Sequence, residues 1–315
     1  MGRFVAGEAP AVDALVADAV AEIGAEIEAL RVPNLGGVVL GGGYGRGEGG
    51  VVVDCAGERL SNDLDFFAIT DPGVSADGLR RVADALAPVS EAWTARLGVD
   101  VDFVVRTPWR IKHDEARVMI QELVRGYVDV AGRPGEELFG KIVRHPPENL
   151  PWTEAVRLLV NRGVGLTLAR TSADGAFAER NVNKCVLGAG DAVLIARRAY
   201  AWRAAERAAA LGWPAYDAAV EWKFRPKKGA ACAWEEARGL WLEAEKEVRA
   251  AGRRSGADGR SLYQAARWIV RRRTLGDLRT FGQAPVLRVL KKLVRVVEAG
   301  EALPEPLRKD WMVFN

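Results

Sequence analysis

The chain has 315 residues, 49% of them hydrophobic, and a formal net charge of +3, which gives enough apolar content for one large or two medium domains with real cores. No apolar run approaches the roughly 18–20 residues that cross a bilayer, and the start, Met1-Gly2-Arg3-Phe4, lacks the apolar core of a signal peptide, so no membrane association is expected. Three widely spaced cysteines (Cys55, Cys185, Cys232) and two histidines (His113, His145) argue against a disulfide framework, a zinc site and a multi-histidine metal centre, and a reducing cytoplasm fits them.

The charge is unevenly spread. Residues 1–150 carry 15 basic and 24 acidic side chains, a net of −9, and residues 151–315 carry 30 and 18, a net of +12. An acidic part that holds metal and a basic part that meets a polyanion is one reading. Alanine-rich helices bearing solvated arginines is the other.

In chain order, residues 9–30 read as an amphipathic helix with Pro10 near its start, broken by Pro33-Asn34. Val38-Val39-Leu40 is a short buried strand that runs into a glycine-rich stretch, residues 41–50. Val51–Val53 predicts another strand, with a turn near Ala56-Gly57. Leu64–Ile69 is a strand stopped by Asp71-Pro72-Gly73. Residues 75–87 read as a helix, residues 99–105 as a strand, 114–125 as a helix and 127–131 as a last short strand. The Pro-rich segment 145–151 marks a domain boundary. Beyond it the pattern is helical, with candidates at 153–170, 178–210, 214–223, 233–251, 261–273 and 285–299. The fold class expected is α+β, a small mixed sheet flanked by helices over residues 1–145, followed by an all-α bundle over 151–315.

The chemistry concentrates in residues 38–69. Asn62-Asp63-Leu64-Asp65 places two carboxylates at i and i+2, on one face of a strand. Like charges so close repel unless a cation lies between them. Mg²⁺ suits such a pair, because it takes one or two carboxylates together with water and phosphate oxygens. The glycines upstream allow backbone N–H groups to approach a phosphate. On the strand at 99–105, Asp100 and Asp102 share a face and offer a further carboxylate.

Gly-Gly-Tyr-Gly-Arg-Gly-Glu (residues 42–48) followed by Asn-Asp-Leu-Asp (62–65) resembles the signature of the DNA polymerase beta-like nucleotidyltransferase superfamily, in the form nearest the bacterial uridylyltransferases. The resemblance covers roughly residues 36–106. It implies a Mg²⁺- or Mn²⁺-dependent transfer of a nucleoside monophosphate from a nucleoside triphosphate, ATP foremost, to an acceptor hydroxyl on a protein, a small molecule or RNA. Asp63, Asp65 and Asp102 would be catalytic and hold the metal. Asp102 is preferred to Asp100 because Phe103-Val104-Val105 follows it in the family's manner. Gly42 and Gly43 would form the phosphate turn, where many relatives carry a serine. Arg46 would pair with phosphate, with Glu48 orienting it or capping the turn. Lys184, near the start of a long helix, would hold the triphosphate, although an ordinary surface lysine is the competing reading.

Asp63 follows Gly43 by 20 residues, farther than in relatives, and the excess predicts a hairpin at 51–59. Tyr200 and Trp202 offer base stacking or core packing. Trp222–Lys228, Arg271–Arg273 and Lys291-Lys292 offer nucleic-acid contacts or solvated helix ends. Two other functions stand beside transfer: a catalytically weak nucleotide sensor or regulatory module, and an RNA-binding protein acting through the basic helices.

Overall fold

A computed structural model describes residues 3–55, 57–254 and 285–312 of the chain. It is mixed α+β, with a small sheet and many helices. It divides into two compact units, residues 1–145 with 223–227, and residues 146–222 with 228–315. The short return of the chain at Lys223–Lys227 to the first unit has no counterpart in the sequence reading. No helix among the described residues is long and apolar enough to cross a membrane.

The first unit begins with α1 (Pro10–Leu30) and β1 (Leu35–Leu40), followed by a single helical turn, α2 (Gly42–Gly45). Strands β2 (Val51–Asp54) and β3 (Gly57–Leu60) pair as an antiparallel hairpin with Val51 opposite Leu60. Then come β4 (Leu64–Thr70), α3 (Ala76–Leu97) and β5 (Val101–Arg106). Short helices α4 (Pro108–His113) and α5 (Val118–Leu123), strand β6 (Val128–Gly132) and helix α6 (Gly135–Phe139) complete it. The main sheet has the order β5-β4-β1-β6. β1 is antiparallel to both neighbours, whereas β4 and β5 are parallel and in register.

Alternation of side chains across the sheet explains its two packed faces. Val38, Leu40, Leu64, Phe66, Ala68 and Val101 meet Val16, Ile23 and Ile27 of α1 and Val82, Leu86 and Trp93 of α3. On the other face Val39, Phe67 and Ile69 meet Ile111, Ile120, Leu123 and Phe139. Burying one such side chain contributes about 1.5–3 kcal/mol, so these two layers fix the strand register firmly.

Several elements differ from the periodicity reading. Helix α3 continues ten residues past the expected end at 87 and carries Pro88 inside it. Residues 114–125 hold a turn and then only the short α5, with α4 preceding it. In the second unit the chain forms α7 (Trp152–Thr171) and α8 (Gly175–Ala196). Next come α9 (Ala204–Leu211), α10 (Pro214–Phe224, whose last two residues count with the first unit) and α11 (Trp234–Arg254). The single helix expected at 178–210 is thus two. Helices α12 (Pro285–Ala299) and α13 (Glu305–Met312) follow. The helix expected at 261–273, with Arg271–Arg273, lies outside the described residues.

Indole N–H groups tie these helices together. Trp241 donates to the Leu159 carbonyl and Trp234 to the Leu166 carbonyl, each at 2.9 Å. Tyr200 is buried in a polar network and packs edge-on to Trp202 at 5.5 Å. Arg207, 2.9 Å from Asp191, donates to the hydroxyls of Tyr200 and Tyr216.

Candidate functional site

At the end of β1 the chain turns sharply through Gly41 and Gly42 into α2. Gly41 N–H donates to the Asp65 carbonyl at 2.8 Å, which ties the turn to the first residues of β4. Gly42 has φ +62°. A Cβ placed on it would overlap the Asp65 carboxylate. Both the conformation and the contact therefore call for glycine. The carboxylate of Asp65 lies directly against the turn.

Asp65 and Asp102 are matched partners in the parallel β4–β5 ladder. Neighbouring strands lie about 4.8 Å apart, and matched residues point to the same face. Asp65 shares its face with Phe67 and Ile69, and Asp102 with Val104. Leu64 N–H donates to the Asp100 carbonyl at 2.9 Å, which draws the first residue of β4 close to the residue before β5. Asp63 and Asp65 are half-buried, and Asp100 and Asp102 are exposed.

Partial loss of hydration, and then the carboxylates of Asp100 and Asp63, push the Asp102 carboxyl above the ordinary carboxylate range. Negative charge is therefore crowded at this end of the sheet. Among the described residues no three His, Cys, Asp or Glu side chains form a group arranged to hold a metal ion. What the fold does bring together is the pair Asp65 and Asp102, with the charges of Asp63 and Asp100 near Asp102.

Tyr44 is the residue that the sequence reading missed. It is 1% exposed. Its hydroxyl donates to the Gly50 carbonyl at 2.7 Å and accepts from the Ser61 N–H at 3.2 Å and, more weakly, from the Asn62 N–H at 3.5 Å. The Asn62 side-chain oxygen accepts from Gly50 N–H at 2.8 Å. Desolvation, the largest cause, holds the phenol above its ordinary pKa, and the Asp63 charge pushes the same way. Tyr44 thus clamps both ends of the hairpin segment and fixes the backbone just before Asp63. A Cβ on Gly49 would overlap the Tyr44 ring, so the glycine lets this ring sit where it does. The signal available in the sequence was a single aromatic residue between glycines.

Arg46 caps α2, and its side chain is turned toward carboxylates. Nη1 lies 3.1 Å from Glu122 and Nη2 3.7 Å from Glu48. Glu48, 6% exposed, is also 3.8 Å from Lys223 Nζ. Arg46 and Glu48 therefore brace the glycine segment. Trp222, Lys223 and Phe224 form the end of α10, so only the later part of that basic and aromatic stretch is a loop. Gly43 is the second residue of α2, and its carbonyl accepts from Glu48 N–H at 2.8 Å. Lys184 stands on α8 of the second unit and is half-buried. Lys292 lies 3.2 Å from Asp310, as in an ordinary helix-to-helix pair.

The chain matches no protein-family model and no curated protein.

Proposed function

We propose that the first unit is a nucleotidyltransferase module of the DNA polymerase beta-like kind, moving a nucleoside monophosphate from a triphosphate to an acceptor hydroxyl. The observation that carries this reading is the meeting of the Gly41–Gly43 turn with Asp65, whose matched partner on the parallel strand is Asp102.

The donors fit Mg²⁺ in type. The ion takes one or two carboxylates plus phosphate oxygens and water, and Asp65 and Asp102, with Asp63 beside them, are hard oxygen donors on neighbouring positions. Crowded negative charge is what a cation relieves. Bound there, it would neutralise charge on the transferring phosphate. The chain's own groups do the positioning. Gly42 and Gly43 open α2, where first-turn N–H groups have no intrahelical partner. With no side chain on either, phosphate oxygens can come close. Asp102, as the resemblance implies, would help draw the proton from the acceptor hydroxyl. Tyr44 and Asn62 keep Asp63 in place.

The test is incorporation of each α-labelled nucleoside triphosphate, ATP first, with Mg²⁺ or Mn²⁺, by the protein alone and with cell extract. Label should reach a protein, small-molecule or RNA fraction with the wild type. It should fall by about 100-fold or more in the Asp63→Ala/Asp65→Ala variant, the size typical of losing groups that stabilise transition-state charge. Equal labelling by both would overturn the site. No label, with Mg²⁺-dependent nucleotide binding, would favour a nucleotide sensor.

A further inference from the structure

Helices α11 and α12 of the second unit wall a cleft of about 470 Å³. Lys246, Arg249 and Arg253 line it from α11, and Lys291 and Arg295 from α12. Two glutamates also line it, so the described lining residues carry five positive charges less two negative, a net of +3. One of the two, Glu245, is buried and accepts from Arg249 Nε at 2.8 Å. Among the described lining residues Val294 alone is apolar. One-to-one ion pairs occur in this unit, as in Arg157–Glu154 at 3.0 Å and Arg197–Glu247 at 2.6 Å, and Arg249–Glu245 in the cleft is another. Among the described lining residues, five of eight are basic.

A cleft of this size is large enough for a small molecule, but such sites are mostly apolar, and this one is not. The cations are also arranged in rows. Lys246, Arg249 and Arg253 are three and four residues apart, and Lys291 and Arg295 four, so each row steps by about one helical turn, roughly 5.4 Å. That repeat is close to the distance between successive phosphates of an extended strand. A single phosphate would need donors converging on one point.

We propose that this cleft binds the phosphodiester backbone of a single-stranded nucleic acid. The proposal stands apart from the transfer reaction, and its test needs no turnover. The net charge of +12 over residues 151–315 agrees with it, because phosphate neutralisation supplies most of the sequence-independent affinity.

The experiment is fluorescence anisotropy with the full-length protein and a labelled oligouridylate of about 16 nucleotides, a DNA strand of equal length and a duplex, over a salt series. Binding of the single strands should weaken with salt at a log–log slope of roughly −2, as for about three phosphates. Arg253, Lys291 and Arg295 are exposed, so Arg253→Ala/Lys291→Ala/Arg295→Ala should keep the wild-type circular dichroism. It should bind about tenfold more weakly at low salt with a flatter slope. The control Arg180→Ala/Arg198→Ala/Arg308→Ala removes the same charge from exposed positions outside the cleft lining and should keep most of the affinity. RNA and DNA bound alike would support recognition of the backbone, and RNA bound better would support it with an added 2′-hydroxyl contact. No binding of either strand, preference for the duplex, or equal loss in both triple variants would overturn the proposal.

Discussion

The hydroxyl of Tyr44 holds three backbone groups, and those groups stand between the glycine turn and Asp63. Removing it leaves the Ser61 N–H and the Gly50 carbonyl short of a partner in a largely dry setting. Unmet buried polar groups cost about 1–3 kcal/mol. Tyr44→Phe is therefore expected to lower stability by roughly that much in urea denaturation, with the ring still seated. If the hydroxyl also sets Asp63, the variant needs more Mg²⁺ for half-maximal nucleotide incorporation, a change that a purely structural role would not produce. Asp102 makes the opposite prediction for stability. Its carboxyl is held above the ordinary range by lost hydration and by Asp100 and Asp63. The folded state thus binds this proton more tightly than the unfolded chain does. Its contribution is favourable at low pH and is lost as pH rises through and above the ordinary carboxylate range. Asp102→Asn should raise Tm at neutral pH and flatten that part of the Tm-against-pH curve. Added Mg²⁺ should raise Tm for the wild type and less for the variant. A variant that melts below the wild type at neutral pH would refute the crowding argument.

At the scale of elements, what could be read from the sequence was what repeats with a period or is punctuated by glycine and proline. The strands carrying Asp65 and Asp102, the glycine turn between β1 and β4, the hairpin between turn and carboxylates and the α12 span all came from such signals. The misses have physical causes. Pro88 suggests a stop, yet Val82, Leu86, Val89 and Trp93 form one buried stripe across it, and this packing carries α3 through the missing N–H. The break between α8 and α9 has neither glycine nor proline. Arg198 takes φ +58° there, and the turn that follows buries Tyr200 and brings the carbonyls of Ala201 and Trp202 to Arg207. That is a tertiary arrangement with no local signature. At the site, motif spacing located the carboxylates, but the bracing role of Arg46 depends on Glu122, 76 positions away in the chain. Periodicity also leaves a testable residue in α11. Gly239 is exposed in the helix interior, with nothing within 4 Å of an added Cβ. Gly239→Ala should stabilise the protein by about 0.5–1 kcal/mol, by restricting the unfolded chain and improving helix propensity. An unchanged or lower urea midpoint would contradict this.

For the whole molecule, the first unit is not one uninterrupted stretch of chain. Lys223–Lys227, which follows 77 residues of the second unit in sequence, is counted with residues 1–145. Its side chains explain why. Lys223 Nζ lies 3.8 Å from the buried Glu48 carboxylate, and Arg225 donates to the Glu8 carbonyl at 2.9 Å. Gly50 also sits where a Cβ would overlap the Lys223 carbonyl, so this return packs on the glycine segment itself. Leaving one partner of a buried ion pair alone costs about 3–5 kcal/mol. Here the separation is long, and Arg46 remains 3.7 Å from Glu48, so Lys223→Gln should cost less, about 1–2 kcal/mol. The loss should be local. Amide hydrogen exchange of the full-length variant should quicken in peptides covering residues 41–50 and stay at wild-type rates in α7. Faster exchange throughout, α7 included, would mean that the return segment supports both units. Unchanged exchange at 41–50 would mean that Glu48 is held by Arg46 without help.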